Sequence, residues 1–170
     1  MKFAALALVA SVTANELHMF APENWKTIMP IAIRDGGYDV TDDSMLGKGT
    51  ISFSQCADPL GAFKFDEGAS TYSPNPFKKG NTVDITLKGS YSKAVHIDNY
   101  EVTAYLNGSK LTTETFDGGD FDSAWSFNVK QKLPLISPSG HYKVHVVANG
   151  ALKGSQTNGI VGCGDGEFDL

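Results

Sequence analysis

The chain has 170 residues, 41% of them hydrophobic and 19% charged, which is enough apolar material for one folded domain and too much for a disordered chain. A net charge of −5 excludes the basic footprint of a nucleic-acid binder, and Lys78-Lys79 is only a pair, not a polybasic patch that holds anionic membranes by charge alone. The 18 glycines and 7 prolines suit a chain with many turns.

Residues 1–14 read as a secretory signal peptide. Met1-Lys2 is a short basic start, Phe3 to Ala10 is an apolar run, and Val12-Thr13-Ala14 puts small residues where a signal peptidase cuts. The run is too short to span a bilayer stably, and the plain alternative is a buried N-terminal helix. Loss of Lys2 with the leader makes the net charge one unit more negative. The expected location is secreted: extracellular, or in the endolysosomal lumen. No later segment is long and apolar enough to cross a membrane as a helix, and Glu167-Phe168-Asp169-Leu170 is not an ER-retention tail.

Residues 15–48 carry Pro22, Pro30, Gly36-Gly37 and an acidic stretch at 39–43, with no long apolar period. They predict an irregular N-terminal extension with a short strand at 27–33; the alternative is an integral first strand of the domain. From Gly49 the pattern changes to short alternating runs, and residues 49–170 form the expected domain. Residues 50–56 alternate around Ile51 and Phe53, and 62–66 put Phe63 and Phe65 on one face. Ser73-Pro74-Asn75-Pro76 breaks the chain, because proline cannot donate to a ladder. Residues 82–90 align Val83, Ile85 and Leu87, and 100–106 align Tyr100, Val102, Ala104 and Leu106. Asn107-Gly108 then predicts a tight hairpin into 109–116. Residues 124–133 set Trp125, Phe127, Val129 and Leu133 against Ser126, Asn128, Lys130 and Lys132. Residues 141–148 align Tyr142, Val144, Val146 and Ala148, and 159–170 are the last run.

Seven or eight short strands with one apolar face each must bury those faces against one another, which predicts an all-β, two-sheet β-sandwich. Cys56 and Cys163, an even count in an exported chain, predict a disulfide; two free buried thiols are the alternative. A loop of that length stabilises by about 4–5 kcal/mol in the chain-entropy model. Asn107-Gly108-Ser109 is an N-glycosylation sequon on an expected turn, so Asn107 is a candidate glycosylation site.

Four segments together resemble the MD-2-related lipid-recognition (ML) domain family. Ile51-Ser52-Phe53-Ser54-Gln55-Cys56 is similar to its opening strand, and Ser73-Pro74-Asn75-Pro76-Phe77-Lys78-Lys79-Gly80-Asn81 to its proline-rich turn. The run from Leu133-Pro134 through Ser137-Pro138-Ser139-Gly140-His141-Tyr142 is similar to the approach to its penultimate strand, and Gly162-Cys163 followed by Phe168 to its closing strand. The resemblance covers 49–170 and implies an immunoglobulin-like sandwich with an apolar cavity between sheets that splay apart for a lipid. The family includes Niemann-Pick C2-like sterol carriers and phosphatidylglycerol/phosphatidylinositol transfer proteins. This chain lacks the two extra short-loop disulfides of the sterol carriers, with Asp117-Gly118-Gly119-Asp120-Phe121 where one is expected, so the resemblance does not extend to sterol specificity.

The implied function is a secreted or luminal lipid-binding and transfer protein that holds a sterol, fatty acid or phospholipid chain. The alternatives are a lipid-presenting co-receptor and a structural or adhesive sandwich without ligand. The expected cavity wall is Val83, Ile85, Leu87, Val102, Ala104, Leu106, Trp125, Phe127, Val129, Tyr142, Val144 and Val146, with Phe116 and Phe121 on flanking loops as a mouth. The same residues equally make a solid core. The expected partners are the lipid, and transiently a membrane or membrane protein; the expected state is a monomer without cofactor.

No G-x-S-x-G, H-E-x-x-H or phosphate-cradling loop is present, so no enzyme is expected. His141 and His145 share a strand face, with His96 elsewhere, but nothing completes a metal motif, and solvent-facing histidines are the plainer reading. Asp117, Asp120 and Asp122 do not fit a calcium loop and read as a solvated acidic turn.

Overall fold

The computed structural model describes residues 16–17, 48–56, 60–133 and 137–170, with side chains from Gly49 onward. The leader up to Ala14 and the strand expected at 27–33 lie outside the described residues.

Twelve strands and no helix make up the described residues. The first sheet runs β1 (Glu16–Leu17), β10 (Ala124–Lys132), β7 (Thr82–Tyr91), β4 (Phe63–Phe65), and β5 (Thr71–Ser73) also pairs with β7. The second runs β3 (Ser52–Gln55), β12 (Gly159–Asp169), β11 (His141–Leu152), β8 (Val95–Leu106), β9 (Ser109–Phe121). A short ribbon joins β2 (Lys48–Gly49) to β6 (Phe77–Lys78). All pairings are antiparallel except that of β1, which lies parallel to β10 with Glu16 opposite Lys130. The start of the N-terminal extension therefore adds an edge strand to the first sheet.

The two sheets bury the apolar faces that the alternation marked. Val83, Ile85 and Leu87 of β7, with Trp125, Phe127 and Val129 of β10, face Tyr100, Val102 and Ala104 of β8 and Tyr142, Val144 and Val146 of β11 in one core. Asn107 and Gly108 close the β8–β9 hairpin with φ of 49° and 80°, the left-handed pair that a two-residue hairpin turn of this hand requires.

β8 and β9 are longer than the sequence suggested. Val95 and Ile97 face inward, and so do Tyr100 and Val102; the inward parity changes across Asn99, where the β8–β11 register slips. A period-two reading that begins at Tyr100 misses the first half of the strand. Residues 117–121 form the end of β9 rather than a loop: Gly118 is a glycine because a Cβ there would collide with the Ile97 carbonyl, not because the chain turns. Phe116 and Phe121 accordingly sit on a strand, not on loops; Phe121 is buried and Phe116 packs half-buried against Phe127.

The disulfide joins Cys56 to Cys163, with Cα atoms 5.3 Å apart. It fastens the end of β3 to β12 within the second sheet and does not cross between sheets. That crossing falls to Gln55, whose amide accepts from the Phe65 N–H at 3.0 Å and donates to the Phe63 carbonyl at 3.3 Å, stitching β3 to β4 along one edge of the sandwich.

Candidate functional site: an apolar crevice between the sheets

The two ends of the sandwich are packed differently. At one end, aromatic rings from both sheets interlock. Phe63 meets Trp125 edge to face at 5.3 Å, and Tyr100 packs on Phe127 at 4.6 Å. The Trp125 indole N–H donates to the Tyr100 hydroxyl at 2.9 Å. Burial pushes the Tyr100 pKa well above the usual phenol range, against the smaller opposing effect of that hydrogen bond.

The other end contains an apolar crevice of about 10 Å³. Val83 and Ile85 of β7 and Leu133 beyond β10 line it from the first sheet. Ala104, Tyr105, Tyr142, Lys143, Val144 and Phe168 line it from the second, and Ile51, Phe77 and Gln131 also border it. Phe168 stacks on Tyr142 and meets Phe77 edge to face, each at 5.2 Å. The Tyr142 hydroxyl donates to the Pro138 carbonyl at 2.7 Å, and burial raises its pKa to about 12. A volume near 10 Å³ has room for about one water molecule. The splayed cavity that the resemblance implies is thus drawn in to a crevice. Side chains from both sheets fill the interior because an apolar void forfeits dispersion contacts.

Of the residues expected to line a cavity, the crevice gathers Val83, Ile85, Ala104, Tyr142 and Val144. Leu87, Val102, Trp125, Phe127, Val129, Val146 and Phe121 belong to the surrounding packed core, with Leu106 and Phe116 half-buried at its margin. The expected wall omits Ile51, Leu133 and Phe168, apolar positions of the alternating runs, and Phe77 of the two-residue β6; it also omits Tyr105, Lys143 and Gln131. Gln131 has the inward parity of Trp125, Phe127 and Val129 and is 3% exposed, but it is polar and so dropped out of an apolar stripe. Its amide nitrogen donates to the Lys132 carbonyl at 2.7 Å. Its Oε1 is buried and accepts no hydrogen bond from the described residues.

The outer face of the second sheet carries charges that lock β11 to β12. Asp165 accepts from His145 Nδ1 at 2.6 Å and from Lys143 Nζ at 2.7 Å, and Lys143 also reaches Glu167 at 3.3 Å. Burial alone would raise the Asp165 pKa, but the His145 and Lys143 hydrogen bonds and charges together hold it below the ordinary carboxylate range. The Asp165 hydrogen bond raises the Lys143 pKa in turn. His141 is exposed, as expected, whereas His145 is half-buried. A nitrogen of His145 lies within 4.8 Å of both cysteine sulfurs, but those sulfurs are bonded to each other and offer no thiolate to a metal. Across the sheet, Asp120 is paired with His96 at 2.8 Å and with Lys153 at 3.8 Å, so the acidic run is a strand-borne ion-pair cluster. Asn107 is exposed on its turn, its side-chain oxygen accepting from the His141 N–H at 2.9 Å.

These features define a class: an all-β, two-sheet sandwich, with one sheet edge closed by a disulfide and an apolar crevice at one end. Comparison with protein-family models and with curated proteins found no match for this chain.

Proposed function

We propose that the protein binds one lipid between its two sheets and carries it through an extracellular or luminal compartment. The observation that carries this reading is the crevice, lined by apolar side chains from both sheets and placed at the end of the sandwich away from the Trp125–Tyr100 clasp. The sheets can part there while the aromatic end and the Gln55 stitch hold. Parting exposes apolar wall, and a lipid chain restores the lost contacts. Each buried methylene is worth about 0.8 kcal/mol, so a chain of about sixteen carbons gains on the order of 12 kcal/mol, similar to its gain in a bilayer. Such a balance suits a carrier, which must release as well as bind.

The strand order supports the immunoglobulin-like part of the reading: β12, β11, β8 and β9 stand against β10, β7 and β4 in the manner of a variable-type sandwich. The Cys56–Cys163 disulfide fits an oxidising, extracytoplasmic location, and the exposure of Asn107 fits glycosylation there. The crevice offers apolar walls for holding a molecule, which suits a carrier. The narrowness of the crevice favours a second reading, a structural or adhesive sandwich with a solid core.

Titration of the purified protein with a fluorescent fatty acid and with a fluorescent sterol separates the two. A carrier gives saturable binding of at least one probe near one per chain. A solid sandwich gives none.

A further inference from the structure

Gln131 is a buried polar side chain in the crevice wall that an apolar core does not explain. It points inward from β10, is 3% exposed, and lines the crevice beside Val83, Ile85 and Tyr142. Its orientation is chemically determined. The side-chain nitrogen must face the Lys132 carbonyl, 2.7 Å away, because the oxygen would be repelled there. Oε1 is therefore turned away from that carbonyl, buried and without a donor among the described residues. A buried acceptor with no donor destabilises the fold, and an inward leucine in its place would avoid that cost.

We infer that Gln131 is the polar anchor of the ligand site, its Oε1 accepting a hydrogen bond from an uncharged donor group, the hydroxyl of a long-chain alcohol, sterol or acylglycerol. The inference rests on the lipid-carrier reading and names the ligand class for it. The site discriminates by chemistry. Oε1 can only accept, so it favours a ligand that donates and gains nothing from an ester or ether oxygen. The ligand is not anionic because the nearby cation is engaged elsewhere, Lys143 directing its ammonium to Asp165 and Glu167 on the outer face, and a buried ammonium would meet only one neutral acceptor at Oε1. An anionic headgroup buried against Oε1 would have no counter-charge and would be repelled by it.

The test uses the full chain and two probes, a long-chain alcohol with a terminal pyrene and the methyl ether of the same alcohol, titrated by fluorescence. The wild type is expected to bind the alcohol about tenfold more tightly than the ether. Gln131→Leu is expected to bind both equally, at or above the wild-type affinity for the ether. Gln131→Met serves if the leucine variant does not give a wild-type circular dichroism spectrum. Equal binding of both probes by the wild type, as would follow if Oε1 merely holds a water, overturns the inference and leaves the carrier reading standing. Discrimination that survives in the folded variant overturns it likewise. Binding of neither probe by the wild type overturns the inference and counts against the carrier reading beneath it.

Discussion

The indole nitrogen of Trp125, on one sheet, donates to the hydroxyl of Tyr100, on the other, at 2.9 Å in the buried interior. This bond clasps the sandwich at the end remote from the crevice. Tyr100→Phe keeps the ring but removes the acceptor, leaving a buried N–H without a partner. The expected cost is about 1–3 kcal/mol, read as a lower midpoint in urea unfolding followed by tryptophan fluorescence. An unchanged midpoint would show that the clasp contributes nothing to holding the sheets together.

Opening the disulfide should destabilise the fold without freeing the crevice, because Cys56 and Cys163 lie within one sheet. The bond closes a span of 107 residues, for which the chain-entropy model gives about 4–5 kcal/mol. Urea unfolding of the Cys56→Ser, Cys163→Ser double variant should show a loss of that order.

Alkaline pH should weaken the protein through Tyr142. Its folded pKa, about 12, lies above the unfolded phenol value of about 10, so the fold prefers the neutral form. That contribution is fully present below about pH 10 and is lost as pH rises toward 12. Tyr100, shifted in the same direction, adds to the loss. Urea midpoints measured between pH 8 and about 11.5 should fall less steeply for Tyr142→Phe than for the wild type. Parallel slopes would contradict the assignment.

Filling the crevice should separate binding from stability. Ala104 is buried in its wall, and Ala104→Leu places new atoms where the ligand would start. Overpacking should cost about 1–3 kcal/mol, leaving a folded protein, while affinity for the pyrene-labelled long-chain alcohol falls by tenfold or more. Unchanged affinity in a folded variant would place the ligand elsewhere.

Much of the sandwich was legible because its strands are half-buried ladders with a strict period of two. The runs at Val83 to Leu87, Trp125 to Val129 and Tyr142 to Ala148 all face the core as read, and Asn107-Gly108 turns where the residues require it. The errors share one cause. Where the register slips near Asn99, parity inverts, so the inward pair Val95 and Ile97 is out of step with Tyr100 and Val102. The adjacent Gly118-Gly119 imitates a turn, whereas Gly118 serves a close backbone approach to Ile97. The crevice was only half legible. Its apolar walls look like any core, whereas Gln131, its most informative residue, interrupts the pattern that sequence reading follows.

A lipid held between these two sheets would leave the cell with the protein and survive a gentle purification. The most direct measurement is native mass spectrometry of the protein purified without detergent, followed by organic extraction and analysis of what is released. The expected result is a species heavier by one lipid, which collapses to the bare chain after extraction and releases an uncharged lipid bearing a hydroxyl. A bare chain before extraction that also fails to take up any offered fatty acid, alcohol or sterol would contradict it.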